Sequence, residues 1–544
     1  MRALYRRLAW DGIRKNKQLY FPYLLTGSVM VMIFYILYAM TDATWMASVR
    51  GSGWAVYVMQ LGSIVIGVFS LLFLFYTNSF LVRQRYKEFG LYNVLGMDKR
   101  NISRVLFWEN LYVALITLLC GFILGIAMSK AAELALMNLL HQPIDYRIRL
   151  SPKAMVITVL VYGGIFLLLL LNSLIRVRRA KPLELIKTAS MGERMPKFLW
   201  VEALAGVVLL GYAYYLAVAI QEPLSALIWF FIAVLLVILA TYALFLAGSV
   251  VLCKLLKKNK KYYYKANHFV SVSSMMFRMR RNGAGLASIC VLATMVLVML
   301  SSSACLYFGA EDSLNATYPN EFELTVWVDD SAELPKLEEA LNRAGAPYGV
   351  NIWEKGTVTQ DGEIIWSAAF DTGLSREQQL ALGHAVGDAL SSTGATWGYS
   401  YTLRAEAADD FYGTYGSLFF IGIVLSIMFI CAAVLIIYYK QLCEGYEDQP
   451  RFAIMQKVGM TAADIRRSVN SQLLTVFFLP LAGAALHMAF AFPMIRRMLL
   501  LFELHNTGLF VATVLISFAV LAAVYTLVYK ATSNAYYRIV KNSV

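Results

Sequence analysis

Long, uninterrupted runs of apolar residues dominate the pattern along this chain. Ten runs of 19 to 32 residues contain no Asp, Glu, Lys or Arg, and a bilayer core about 30 Å thick needs roughly 20 apolar residues for one helix. Each run therefore predicts a membrane-spanning helix in an all-α polytopic membrane protein. The predicted spans are 18–40, 51–82, 110–129, 154–175, 203–221, 223–253, 282–310, 411–439, 468–495 and 504–529.

One polar segment between spans, 311–410, has a different pattern. Alternating runs typical of strands and periodic runs typical of helices follow each other in the order β-α-β-β-α-β. The predicted elements are Phe322–Val328, 332–343, 349–359, 363–370, 376–390 and 397–404. This order indicates a small α/β domain outside the membrane, with a ferredoxin-like unit as the suggested fold.

The distribution of charge predicts the orientation. Of 48 Lys and Arg, 36 lie in the two termini and in the loops on one side of the membrane, which the positive-inside rule assigns to the cytoplasm. Both termini are therefore predicted to be cytoplasmic, and segment 311–410, with eighteen acidic and five basic residues, extracellular. A hydrophobic fraction of 59% excludes a plain soluble enzyme. The net charge of +14 follows from this topology and indicates anionic membrane lipids as partners, not nucleic acid.

An internal repeat relates the two halves of the membrane part. Segments 89–102 and 452–465 align without gaps at a constant offset of 363. Identical pairs include Phe89 with Phe452, Gly96 with Gly459, and Met97 with Met460. Because six spans separate the starts of the two units, the chain is predicted to hold two parallel four-helix repeats, with spans 5 and 6 as an inserted hairpin.

This repeat divides the chain into consecutive regions. The predicted regions are an amphipathic helix on the inner leaflet (1–17), the first repeat (18–175), a linker (176–202), the hairpin (203–253), a basic linker (254–281), span 7 (282–310), the extracellular domain (311–410), spans 8 to 10 (411–530) and a tail (531–544). A coupling helix is expected near 84–100 in the first repeat and near 447–464 in the second. Each repeated block combines apolar residues at helical spacing, a Gly-Met corner and flanking charges, which is typical of a docking surface. A basic loop that merely joins two spans is the simpler interpretation, but two copies with the same apolar positions favour contact with a shared partner.

Motifs in these blocks resemble a known family. They are Arg85-Tyr-Lys-Glu-Phe-Gly90, Leu95-Gly-Met97, Glu109, Lys181-Pro-Leu-Glu-Leu-Ile-Lys187, Tyr438-Tyr-Lys-Gln441, Glu444-Gly-Tyr-Glu-Asp448, Ile454-Met-Gln-Lys-Val-Gly-Met460, Phe477-Phe-Leu-Pro-Leu481 and His487. Together they are similar to FtsX-like ABC transporter permeases, and most to the bacitracin-efflux (Bce-type) branch. The chain departs from that branch in its smaller extracellular domain, in Ala453 where the first repeat has Gly90, and in Gln472 opposite Glu109.

The resemblance implies a non-catalytic permease in a bacterial cell membrane, for resistance to or sensing of cell-envelope-targeting peptides. The chain has no phosphate-binding P-loop motif, so ATP and Mg are expected in a separate ABC ATPase and no cofactor in this chain. Two ATPases per permease are expected, and a sensor histidine kinase and a cationic peptide or lipid-linked cell-wall ligand are further candidate partners. The expected ATPase-docking residues are Arg85, Glu88, Phe89, Gly90, Leu95, Gly96, Met97, Glu447, Phe452, Met455, Val458, Gly459 and Met460.

Three alternatives stay open. An FtsX-like permease that regulates a cell-wall hydrolase, or that extrudes lipid or lipoprotein, also suits the small outer domain. An ATP-independent membrane receptor is the alternative from another class.

Glu109 and His487 are the candidate polar residues within the spans, and His487 is interpreted either as a titrating switch or, preferably, as a hydrogen-bonding partner of a neighbouring helix.

Overall fold

A computed structural model describes residues 2–41, 52–142, 150–179, 199–258, 266–360, 364–393, 398–457 and 462–541. In these residues, ten helices are long and apolar enough to cross a membrane. The predicted architecture, a polytopic helical membrane protein with a small α/β domain, is therefore confirmed.

The first repeat and the hairpin consist of helices only. The first repeat contains α1 (Arg2–Lys15), α2 (Lys17–Thr41), α3 (Ser52–Gln84), α4 (Tyr86–Val94), α5 (Lys99–Leu139) and α6 (Pro152–Arg179). The hairpin contains α7 (Leu199–Ala219), α8 (Pro223–Ala243), a π-helical turn (Leu244–Gly248) and α9 (Ser249–Lys258). Helices α2, α3, α5 and α6 are spans 1 to 4, and α7 and α8 begin spans 5 and 6.

The second repeat is interrupted by the α/β domain. It begins with α10 (Ala266–Phe308), and α11 (Ala310–Thr317) leads into the domain. The domain contains β1 (Phe322–Val328), α12 (Leu334–Gly345), β2 (Gly356–Gln360), β3 (Ile364–Phe370), α13 (Arg376–Ser392) and β4 (Gly398–Leu403). The repeat then continues with α14 (Arg404–Lys457), α15 (Ala462–Leu499) and α16 (Thr507–Lys541), which are spans 8 to 10.

Several predicted boundaries are wrong because the helices extend beyond the apolar runs. The basic linker 254–281 is helical to Lys258 and again from Ala266, span 8 begins at Arg404, and the tail is helical to Lys541. The length of a charge-free run reflects the thickness of the hydrocarbon core of the bilayer. A helix, however, continues into the aqueous region as long as its backbone hydrogen bonds are maintained.

Spans from both repeats share one hydrophobic core. Helix α14 packs against α10 of its own repeat and against α3 of the first, and α2 packs against α3 and α5. The hairpin lies on the second repeat, where α7 and α8 pack against α15. Span 8 therefore contacts both halves of the membrane part.

Small residues allow spans 1 and 3 to approach closely. A Cβ atom at Gly121 would lie 2.5 Å from Cγ1 of Val31, and one at Gly125 would lie 2.8 Å from Cδ1 of Tyr35. Only hydrogen fits at these two positions. The glycine pair therefore packs helices within the chain, as small-residue motifs do in membranes.

The α/β domain has the strand order β2-β3-β1-β4, and all its neighbouring strands are antiparallel. This order, with the element order β-α-β-β-α-β, is the ferredoxin-like topology suggested by the sequence. The domain core includes Phe322, Leu337, Trp366 and Leu382, contributed by both layers. Strand β2 starts at Gly356, later than predicted, because short 3-10 turns at Ala346–Tyr348 and Trp353–Lys355 occupy the preceding segment.

The N-terminal amphipathic helix α1 packs against the start of α5. Tyr5 and Ala9 form a small buried cluster with Val105, and the Tyr5 hydroxyl donates a hydrogen bond to Asn101 Oδ1 at 3.0 Å. Leu4, by contrast, is 54% exposed. Helix α1 is therefore attached to the third span beside the first repeated block.

Candidate functional site

The first repeated block folds as a separate short helix at the end of the bundle opposite the α/β domain. Helix α4 is delimited by a break at Arg85 and by a corner at Gly96. Gly96 has φ of +89°, a left-handed conformation that costs an L residue about 1–2 kcal/mol. Asp98 then caps α5 by accepting a hydrogen bond from the Lys99 N–H at 2.7 Å. The Gly-Met corner of the sequence is therefore a real change of chain direction.

The inner face of α4 is held by Phe89, whose side chain is fully buried. Its neighbours come from α3, α5 and α6 and are Val82, Ile102, Leu106 and Val177. Gly90 is also buried, and Met97 is half-buried against this cluster. Phe89 therefore fastens α4 to three spans and does not present an aromatic ring at the surface, so a direct contact with a partner is not available to it in this conformation.

The outer face of α4 presents apolar side chains instead. Leu91, Val94 and Leu95 are 56%, 69% and 73% exposed, at the i, i+3 and i+4 spacing that places residues on one face of a helix. Leu95 was expected among the docking residues, whereas Leu91 and Val94 were not. The sequence signal that identifies Leu91 and Val94 is their helical spacing from Leu95, which places them on the same face of the helix. We call these three residues the apolar strip.

A buried charge network joins the start of α4 to spans 1 and 3. Arg85 is 1% exposed; its Nε donates to Glu88 Oε2 at 2.9 Å, and its Nη1 donates to the Tyr20 hydroxyl at 2.9 Å and to Glu109 Oε2. The Tyr20 hydroxyl donates to Glu109 Oε1. An unpaired buried charge is costly, so this guanidinium requires its carboxylate partners. The structure thus brings Arg85, Glu88 and Glu109 together, as three of the candidates named from the sequence.

The N-terminal helix completes this network. Asn16 Nδ2 donates to Glu88 Oε1 at 2.9 Å, and to the Gly12 carbonyl at 3.1 Å. A Cβ atom at residue 12 would lie 2.8 Å from Arg85 Nη2, so the guanidinium packs directly on the glycine. Gly12, Asn16 and Tyr20 were not predicted, because contacts across more than 60 positions leave no periodic signal in the sequence. We call Gly12, Asn16, Tyr20, Arg85, Glu88 and Glu109 the Arg85 network.

The second repeated block has a different backbone. Helix α14 runs without a break from Arg404 to Lys457, so Glu447, Phe452 and Met455 continue the helix of span 8. The side chains of these three residues, and all of Val458, Gly459 and Met460, lie outside the described residues. The prediction of a separate coupling helix over 447–464 therefore does not hold for its first half, which extends the helix of span 8 to Lys457.

His487 links span 9 to the inserted hairpin. The Thr241 hydroxyl donates to the Val237 carbonyl at 2.6 Å, so its oxygen, 3.1 Å from His487 Nε2, is placed to accept a hydrogen bond from that nitrogen. His487 Nδ1 lies 2.7 Å from the Tyr214 hydroxyl. Both ring nitrogens therefore have hydrogen-bonding partners on the hairpin, which supports the packing interpretation over the titrating switch.

The α/β domain is joined directly to span 8 and, through α11, to span 7. Strand β4 ends at Leu403, and α14 begins at Arg404. Glu311, in the first turn of α11, accepts hydrogen bonds from Arg404 Nη2 at 3.4 Å and from the Tyr412 hydroxyl at 3.2 Å. Strand β4 and span 8 are therefore continuous in the chain, and Glu311 ties α11 to the same helix.

Glu321 anchors the turn after β3 to the start of β1. One of its carboxylate oxygens accepts hydrogen bonds from the N–H and hydroxyl of Thr372, at 2.8 and 2.7 Å, and from the N–H of Gly373 at 2.9 Å. Partial burial opposes the charged form, but these hydrogen bonds and the nearby Arg404 outweigh it, so the pKa of Glu321 lies below its ordinary value of 4.5.

Comparison with known proteins gives a family for the part of the chain that contains the apolar strip. The FtsX-like permease C-terminal family matches residues 61–182, which include α4 and the surrounding spans. An uncharacterized ABC transporter permease, YvcS of Bacillus subtilis, is 26% identical over 351 residues, covering 63% of this chain and 54% of YvcS. The bacitracin export permease protein BceB of Halalkalibacterium halodurans is 27% identical, covering 63% and 53%. The ABC transporter permease protein YxdM of B. subtilis is 22% identical, covering 89% and 92%.

The first two of these alignments span about half the length of the relatives that they match. Identity is low throughout, and the family match covers the first repeated block. The chain therefore carries an FtsX-like permease domain and is related to the Bce-type bacitracin export permeases and other ABC transporter permeases.

Proposed function

We propose that this chain is the permease subunit of a mechanotransmitting ABC transporter, which couples a separate ATPase to the α/β domain. The observation that carries the proposal is the apolar strip of Leu91, Val94 and Leu95, exposed on a short helix between two spans. Exposed apolar side chains outside the lipid-facing surface mark a protein interface. The α4 helix would receive one ATPase subunit and the block at 447–464 the other, so one permease binds two ATPases.

Transmission to the other side would go through span 8. Helix α14 has 54 residues, which at 1.5 Å per residue makes it about 80 Å long, more than twice the thickness of a bilayer core. One end continues strand β4, and the other contains the first part of the second repeated block, as far as Lys457. Closure of the ATPase pair would displace this helix, and the α/β domain would move with it. This mechanism needs no conduction path.

The outer domain would act on cell-envelope-targeting peptides, for resistance or sensing. Its net charge of −13 over 311–410 attracts cationic molecules through long-range electrostatics. BceB, to which the chain is similar, is named as a bacitracin export permease, which supports this ligand class. The chain would lie in a bacterial cell membrane with both termini in the cytoplasm, and a sensor histidine kinase is a further candidate partner.

Co-purification with candidate ATPases tests the coupling. We expect Leu91→Asp combined with Leu95→Asp to reduce ATPase recovery at least tenfold, because charged groups would be buried in an apolar contact. Leu4→Asp, at another exposed leucine, serves as the control and should leave recovery unchanged. Native mass spectrometry should find one permease with two ATPases. Full recovery with the double variant would exclude the apolar strip as the docking surface, and failure of every ATPase to bind would favour an ATP-independent receptor.

A deletion strain tests the ligand class. Increased sensitivity to bacitracin, lantibiotics or defensins is the expected result. Unchanged sensitivity to all of them, together with altered cell separation, would favour a permease that regulates a cell-wall hydrolase, and a change in exported lipid or lipoprotein would favour extrusion.

A further inference from the structure

The two repeated blocks differ in how they are attached to the membrane part. The first block, α4, is separated from span 2 by the break at Arg85 and from span 3 by the corner at Gly96. The second block continues span 8 without a break as far as Lys457. Two blocks with equivalent roles would be expected to have equivalent connections to their spans. The difference between the two connections therefore suggests that the two blocks move differently.

The Arg85 network attaches α4 to three other helices. It joins α4 to α1 through Gly12 and Asn16, to span 1 through Tyr20, and to span 3 through Glu109. Movement of α4 relative to these helices would separate a buried guanidinium from a buried carboxylate, which would leave two charges unpaired away from water. The buried Phe89 adds apolar contacts to spans 2, 3 and 4.

The sequence of the second block does not provide the same network. At the constant offset of 363, Arg85 aligns with Asp448, Glu88 with Arg451, and Glu109 with Gln472. Two charges are reversed, and the carboxylate of span 3 is replaced by a neutral amide. The second block therefore lacks the Arg-Glu pair that holds the first.

We propose that the two blocks have different mechanical roles in the transporter proposed above. The first, α4, is a fixed anchor that the Arg85 network holds on the N-terminal helix and span 3. The second moves as one body with span 8 and the α/β domain and so delivers the displacement. Arg85, Tyr20 and Gly12 are then positioning residues of the anchor, and the N-terminal helix is part of the coupling apparatus.

Distances between spin labels test these roles in the full complex with its ATPases in nanodiscs, with the native cysteines replaced by serine. One pair, Arg7 on α1 and Asn93 on α4, reports on the anchor. The other pair, Trp54 at the outer end of span 2 and Glu339 on α12, reports on the α/β domain. Trapping the ATPases with ATP should shift the outer pair by several ångströms and leave the Arg7–Asn93 distance unchanged. An equal shift in both pairs would overturn the proposal.

Two variants, each with a control, test whether the Arg85 network holds α4 and whether the unbroken helix α14 moves the α/β domain. Glu109→Gln should broaden the Arg7–Asn93 distance distribution at least twofold, whereas Glu133→Gln, which breaks the Lys130–Glu133 ion pair elsewhere on α5, should not. Tyr446→Pro should abolish the outer shift by interrupting α14, and Tyr446→Ala should retain it. A narrow distribution with Glu109→Gln, or a normal outer shift with Tyr446→Pro, would contradict the inference. Loss of ATPase binding by the unmodified chain would instead contradict the proposed function.

Discussion

Arg376, the first residue of α13, forms an ion pair with Asp409 in the second turn of α14. The Asp409 side chain is buried, whereas that of Arg376 is half-exposed. This contact fixes a helix of the α/β domain directly onto the N-terminal end of α14, which continues into span 8. Together with Glu311 and Arg404, it makes the domain and the span one mechanical unit.

Removal of the Asp409 charge should loosen this unit. Asp409→Asn keeps the size of the side chain but loses the attraction to Arg376, and we expect a loss of about 1 kcal/mol, since one partner is exposed to solvent. Hydrogen exchange in the first turns of α13 should become about fivefold faster. Asp410→Asn, at the exposed neighbouring carboxylate, is the control and should exchange as the unmodified chain does.

Phe89 and Leu95 should have opposite effects although both belong to the first block. Phe89→Ala removes a fully buried ring and is expected to destabilise the membrane part by about 3–5 kcal/mol, lowering its melting temperature in nanodiscs. Leu95→Ala changes an exposed side chain, so the melting temperature should stay the same while ATPase affinity falls. Equal melting temperatures for the two variants would contradict the assignment of Phe89 to the interior.

Gly96→Ala should strain the corner after α4 without a steric clash. No atom lies within 4 Å of a Cβ built at this position, so the cost comes from the backbone alone, about 1–2 kcal/mol. Gly96→Asn should cost less, because asparagine tolerates left-handed φ angles. Thermal unfolding of the three proteins should therefore rank glycine above asparagine and asparagine above alanine.

Larger residues should not fit between spans 1 and 3. Gly121→Val would place a branched side chain where even Cβ lies 2.5 Å from Val31, and we expect a loss of about 1–3 kcal/mol. Gly164→Val, in span 4 with no atom within 4 Å of its Cβ, is the matched control. If both variants melt at the same temperature, the close approach of α2 and α5 is not the reason for glycine at position 121.

Acid should weaken the anchor formed by Glu321. Since its pKa is lower in the folded domain than the ordinary value of 4.5, Glu321 stabilises the fold above that pH, and this contribution is lost as the pH falls toward the folded pKa. Hydrogen exchange at Thr372 and Gly373, corrected for the intrinsic rate, should accelerate below about pH 4.5. Glu321→Gln should exchange rapidly at neutral pH already and show little further acceleration in acid.

Sequence patterns predicted the architecture because the relevant forces act locally. Each span needs enough consecutive apolar residues to satisfy the bilayer, and each strand or helix of the α/β domain leaves a periodic trace of its buried face. The element order of 311–410 was therefore correct, and β1 agrees at both ends. Helix ends were wrong where charged residues such as Arg404 continue a helix beyond the hydrocarbon core.

Only the tertiary structure decided how the first block is used. The sequence itself determined that Phe89 and Leu95 lie in one amphipathic block, 89–102, that recurs at 452–465, and that Arg85 closely precedes it. It did not determine that Phe89 is buried and Leu95 exposed, nor that Arg85 meets Glu109 and Tyr20. Which face of a short helix is covered depends on how spans distant in sequence pack around it. A buried charge likewise pairs with a residue that is close in space but distant in sequence, and sequence patterns leave no local trace of such a pair.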